Sequence, residues 1–118
     1  MSFRMAAKAA KKSSFIQHRV GATIVKGGNL FATGYNSKQP SSVLKTKTRH
    51  AEAAAILSLL KQRRLHDLAG ATLYVTRYTK GGKVGMAKPC PSCEDLCRSV
   101  GISRVYYTTD SGVESMKL

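Results

Sequence analysis

His50-Ala51-Glu52-Ala53-Ala54-Ala55-Ile56-Leu57-Ser58-Leu59-Leu60 is the stretch on which the fold turns. Alanine and leucine dominate it and neither Gly nor Pro interrupts it, which predicts a helix from Ala51 to about Arg64. Glu52, Ile56, Leu59 and Leu60 share one stripe of that helix. A carboxylate on an apolar stripe is a costly placement unless it has chemistry to perform or a partner to meet. Residues two apart on an ideal helix point about 200° from each other, so His50 and Glu52 can address one point only if His50 lies at the irregular helix start.

Upstream, Arg4, Lys8, Lys11 and Lys12 line one face of a first amphipathic helix between Phe3 and Lys12, with Phe3, Ala6, Ala7 and Ala10 on another. Val20 to Lys26 and Leu30 to Tyr35 are β-rich and flank the turn Gly27-Gly28-Asn29, which makes a hairpin. Asn36 to Thr48, with Pro40, Ser41 and Ser42, is a polar loop leading into His50. Downstream, Gly70 opens a strand from Ala71 to Arg77, and Tyr78 to Lys88 is a Gly- and Lys-containing loop. A helix starting at Cys90 or Pro91 runs to about Val100, where Gly101 stops it, and Arg104 to Thr109 is a further strand. Strands and helices alternate after the hairpin, so an α/β sandwich with a mixed central sheet of four to five strands is expected. Only nine residues follow Thr109. A fifth strand there must run antiparallel after the Asp110-Ser111-Gly112 turn, since a parallel return needs a crossover of about a dozen residues or more.

A chain of 118 residues with 42% hydrophobic content suits one domain, residues 1–118. It has no apolar run of about 18 residues and no secretory signal pattern, and cytoplasmic residence is the default. The formal net charge is +14. All six acidic residues lie at or beyond Glu52, whereas Arg4, Lys8, Lys11, Lys12, Arg19, Lys26, Lys38, Lys45, Lys47 and Arg49 precede it. This basic half should attract an anion, whether a nucleotide phosphate or a nucleic acid.

Pro89-Cys90-Pro91-Ser92-Cys93 places two thiols at C-x-x-C spacing at a helix start, the wrong pattern for a disulfide framework and a good one for a metal. With His50 they supply three ligands of a tetrahedral zinc and leave one position open, the arrangement of catalytic sites. The helix start should favour their thiolate form. Two thiolates weaken the ion as a Lewis acid, so the site needs a proton acceptor, and Glu52 is the candidate. The alternative is a structural zinc knuckle with Cys97 as fourth ligand. Cys97 shares a helical face with both cysteines, but it lies about 10 Å along the axis from Cys90 and reads instead as a buried apolar residue.

These motifs, together with Val20-Gly21-Ala22-Thr23-Ile24-Val25, Thr33-Gly34-Tyr35-Asn36, Gly70-Ala71-Thr72-Leu73-Tyr74-Val75-Thr76 and Gly101-Ile102-Ser103-Arg104-Val105-Tyr106-Tyr107, resemble the zinc-dependent cytidine and deoxycytidylate deaminase superfamily, which includes tRNA adenosine deaminases. The resemblance implies a three-layer α/β/α cytidine-deaminase-like sandwich and a hydrolase that removes ammonia from a base. It assigns His50, Cys90 and Cys93 to Zn2+ and Glu52 to proton shuttling. It also implies that Asn36 holds the nucleoside, Val20 packs on the base and the backbone N–H of Ala51 orients it. A homo-oligomer is implied as well. A histidine as the third ligand resembles the deoxycytidylate and tRNA branches, although those usually close with another helix and strand that this short end lacks.

Lys45, Lys47 and Arg49 alternate before His50 and in an extended loop could grip a phosphate together, and Tyr78 could stack on a base or pack. The expected reaction is dCMP to dUMP plus ammonia. The alternatives are a polynucleotide deaminase acting on tRNA adenosine or single-stranded cytosine, and a non-catalytic nucleic-acid-binding zinc module.

Overall fold

The computed structural model describes residues 2–13, 18–37 and 50–118. In chain order they form α1 (Ser2–Ala10), β1 (His18–Lys26), β2 (Asn29–Tyr35), α2 (Ala51–Lys61), a 3-10 turn (Leu65–Asp67), β3 (Thr72–Thr79), β4 (Val84–Gly85), α3 (Pro91–Ser99), β5 (Arg104–Thr109) and β6 (Gly112–Lys117). The sheet runs β2-β1-β3-β5-β6, with β4 paired to β3 off that path. Among the described strands only β3 and β5 pair in parallel, and α3 lies in the crossover between them. Among the described residues the sheet therefore has six strands rather than four to five.

The expected last strand forms, antiparallel to β5 as its short turn requires. The sixth comes from the expected 78–88 loop. Tyr78 and Thr79 stay in β3, and Val84 and Gly85 pair with Tyr78 and Arg77. Two residues carry no periodicity, and this pairing is held by tertiary bonds: Thr108 Oγ1 donates to Gly85 O at 2.9 Å and Ala87 N to Thr108 O at 2.8 Å.

Alternation along the strands sorts side chains into two faces. Gly21, Thr23, Tyr74, Thr76 and Tyr106 point to the α1 side, while Ala22, Ile24, Gly34, Leu73, Val75 and Val105 point to the α2 and α3 side. On the first face Phe3 of α1 meets Tyr74 edge-on at 5.1 Å, and Tyr74 stacks on Tyr106. On the second, Ile56 and Leu59 of α2 and Cys97 of α3 join Ile24, Leu73, Val75 and Val105 in a fully buried core. Each such aliphatic side chain contributes about 1.5–3 kcal/mol by leaving water. These are the layers of an α/β/α sandwich.

Two glycines bring the helices close. A Cβ at Gly21 would run into Ala6 O of α1, and one at Gly34 into Ala51 O and Ala55 N of α2. Gly34 thus lets the first turn of α2 lie directly on β2. The helix ends at Lys61, short of Arg64, in a Schellman motif: Arg64 N donates to Leu59 O and Arg63 N to Leu60 O. Arg63 takes the left-handed conformation (φ 56°) that glycine usually supplies.

Candidate metal centre and the carboxylate beside it

His50 and Cys90 occupy equivalent places. Each is the extended N-cap of its helix, His50 at φ −78°, ψ 150° and Cys90 at φ −67°, ψ 163°. Pro91, at the first position of α3, has no N–H to leave unsatisfied and presets the helical φ. Cys93 follows within the first turn. The two helix N-termini converge, so that one ligand atom from each of His50, Cys90 and Cys93 lies within 4.8 Å of the others. His50 Nδ1 is 3.3 Å from Cys93 Sγ and 3.7 Å from Cys90 Sγ.

Ligands on a tetrahedral zinc, with bonds of about 2.0–2.3 Å, stand about 3.5–3.8 Å apart. The three atoms fit that shell. Among the described residues no other group of three has this arrangement. Cys97 is buried in the core and outside the group, which matches its reading as an apolar residue and not the knuckle.

Glu52 sits two residues into α2 with 6% of its surface exposed. His50 in its extended N-cap and Cys93 both act on the Glu52 carboxyl, so the roughly 200° separation of an ideal helix does not keep His50 and Glu52 apart. Burial raises the carboxyl's pKa, partly offset by its own backbone N–H, the charge of His50 and a hydrogen bond with Cys93. The expectation of easily formed thiolates fails for Cys93 when only protein groups act on it. Burial, then the charges of Glu52 and Cys90, push its thiol far above the ordinary range and outweigh the helix terminus. A cation shared by both sulfurs reverses that balance, because a coordinating thiol is deprotonated outright.

Val20 and Asn36 lie at the ends of β1 and β2 nearest the start of α2. They bond to each other, Val20 N donating to Asn36 Oδ1 at 3.0 Å and Asn36 N to Val20 O at 3.1 Å. This mutual clasp, which no residue-type pattern signals, orients the Asn36 amide. Ala51 is buried at the first position of α2. The first intrahelical bond is Ala54 N to His50 O, so the N–H of Ala51 has no partner within the helix. Lys45, Lys47 and Arg49 lie outside the described residues. Tyr78 points to the α1 face, away from the metal ligands, so it cannot stack on a base held there.

A model of the cytidine and deoxycytidylate deaminase zinc-binding region matches residues 1–109. The deoxycytidylate deaminase of Mycobacterium phage D29 is 32% identical over 130 aligned positions, covering 91% of each chain. The fold is similar to that of cytidine deaminase from Burkholderia pseudomallei, with a TM-score of 0.68 at 24% identity over 99% of this chain and 93% of that one. It is also similar to dCMP deaminase from the cyanophage S-TIM5, with a TM-score of 0.66 at 24% identity over 92% and 79%. The chain belongs to the cytidine and deoxycytidylate deaminase family. Its expected class, a zinc-dependent deaminase, is thereby borne out, as are the cofactor and the sandwich fold.

Proposed function

We propose that the protein hydrolyses dCMP to dUMP and ammonia, with residues 1–118 acting as one deaminase domain. The observation that carries the reading is the buried carboxylate of Glu52 beside three convergent ligand atoms, on the helix that His50 opens. Zinc, when bound, supplies a Lewis acid that makes water nucleophilic near neutral pH. The carboxylate of Glu52 would accept one proton from the attacking water and hand it to the ring nitrogen, and would then carry the second, from the hydroxyl left at C4, to the departing amine, so that one water enters and one ammonia leaves. The N–H of Ala51 and the amide of Asn36 orient the base and sugar, and Val20 packs on the base. Lys45, Lys47 and Arg49 grip the phosphate.

The choice of dCMP is supported by the phage deoxycytidylate deaminase and by the S-TIM5 enzyme, whose structure is known with dCMP and dUMP. Three cysteines without a disulfide suit a reducing cytoplasm, and a homo-oligomer is the expected assembly. Among the described residues no helix is long and apolar enough to cross a membrane.

The test is to measure ammonia release and base identity with dCMP, dCTP, cytidine, a tRNA and single-stranded DNA, with Glu52→Ala as control. Turnover of dCMP above the others supports the assignment. Turnover of the tRNA or the DNA alone overturns it in favour of a polynucleotide deaminase. No turnover of any of them leaves the non-catalytic zinc module as the reading.

A further inference from the structure

Arg19 and Val20 are neighbours on β1 whose side chains leave the sheet on opposite faces. Val20 shares its face with Ala22 and the metal centre. Arg19 shares the α1 face with its cross-strand partner Tyr78. Around these two a pocket of about 460 Å³ opens, lined by Lys11 at the end of α1, Arg19, Tyr78, and Thr79, Lys80 and Gly82 of the β3–β4 turn. Among the described residues no carboxylate lines it.

The Nε of Arg19 is buried there without a hydrogen-bond partner. A guanidinium is always charged, and a buried donor left unmet is destabilising, so the pocket is built to receive an oxygen anion. Exposed Arg4 and Lys8 on α1 and Lys12 just past its end extend the same charge, with α1 rising about 6 Å between Arg4 and Lys8. A lone phosphate needs no such row. The half-buried ring of Tyr78 offers a base a stacking surface, which an unpaired strand can use and a duplex cannot.

We propose that the α1 face is a docking track for single-stranded nucleic acid, distinct from the metal centre. One phosphate sits among Lys11, Arg19 and Lys80, its base lies on Tyr78, and further phosphates follow α1. This stands whether or not dCMP is the substrate at the metal, since the track lies on the opposite face of the sheet.

The zinc-loaded protein is titrated into a fluorescein-labelled ten-residue oligothymidylate between 50 and 200 mM salt, and anisotropy is read (roughly the range over which such contacts separate). The expected result is binding that weakens steeply with salt. In K11Q/R19Q/K80Q it weakens at least about tenfold, and the log–log salt slope falls by about 0.7, the share of the one phosphate these side chains hold. Tyr78→Leu should weaken binding by about tenfold at an unchanged slope. Glu52→Ala should bind as the parent does, which separates this site from the catalytic one.

Zinc content and circular dichroism report integrity. If Arg19→Gln disturbs the fold, K11Q/K80Q replaces the triple variant, with an expected slope change of up to about 0.7. Unchanged affinity and slope in the charge variants would overturn the proposal. So would TMP displacing the oligomer at equal nucleotide concentration, or a hairpin duplex binding more tightly than the strand.

Discussion

Helices α2 and α3 share a plan at both ends and differ between them. Each opens on an extended N-cap positioned to hold a metal, His50 for one and Cys90 for the other. Each closes in a Schellman motif: in α3 Ile102 N donates to Cys97 O and Gly101 N to Arg98 O, the same pattern as Arg64 and Arg63 in α2. In between, α2 buries Ala51, Glu52, Ala53, Ala55, Ile56 and Leu59, whereas α3 buries only Cys93 and Cys97 and wears an Arg98–Glu94 ion pair at 2.7 Å on its surface. Two sulfur ligands need a fixed backbone and a cation, which a half-exposed helix can provide. The role proposed for Glu52, a dry carboxylate beside a bound metal, needs its helix laid tightly on the sheet, and Gly34 gives α2 that approach.

The sharpest break in this comparison comes from the α3 side. Cys93→Ser should abolish stoichiometric zinc, read by metal analysis of the purified protein, together with turnover. A carboxylate change on α2 should leave the metal in place. Next in size, Gly34→Ala forces a methyl group into the backbone of α2. Thermal unfolding should show a loss of about 1–3 kcal/mol, with turnover falling further than stability because Glu52 shifts with the helix.

The helix ends supply a smaller and opposite pair. Gly101→Ala, at φ 91° and with its new Cβ 3.1 Å from Ala69 Cα, should cost about 1–2 kcal/mol. Arg63→Gly relieves the left-handed strain at the matching position of α2 and should stabilise by up to about 1 kcal/mol. Equal effects of the same sign would show that the two ends are not equivalent.

The smallest effect lies just past the end of α2. The Arg64 guanidinium, 2.6 Å from Asp67, holds that carboxyl below its usual value of 3.8. Because the folded pKa is the lower one, its stabilisation is present above about pH 3.8 and disappears as pH falls through the folded value. Asp67→Asn should therefore flatten the stability curve in that acid range and lower stability slightly above it, as followed by urea unfolding against pH.

The ends of these helices also show how far the sequence could be read. His50-Ala51-Glu52 and Cys90-Pro91-Ser92-Cys93 were legible because ligand chemistry, helix starts and spacing agree. Gly101 announced the end of α3, but Arg63 is not a turn residue and hid the end of α2. Its motif is set by tertiary packing, including Arg64 lying 5.1 Å from the centre of the Phe31 ring. The two-residue β4 was invisible because its pairing with β3 is specified by Thr108, 23 residues after Gly85. The clasp between Val20 and Asn36 joins two strand ends through one side-chain oxygen, which no local pattern encodes.

The division of labour between the two helices is tested most directly by Glu52→Gln, which keeps the size and polarity of the side chain and removes its ability to carry the proton. Zinc content and turnover of dCMP are measured on the same preparation. The expected result is a full complement of zinc with turnover lowered by about 10²- to 10⁴-fold. Turnover close to that of the parent with zinc retained, or loss of the zinc itself, would contradict the role given to Glu52.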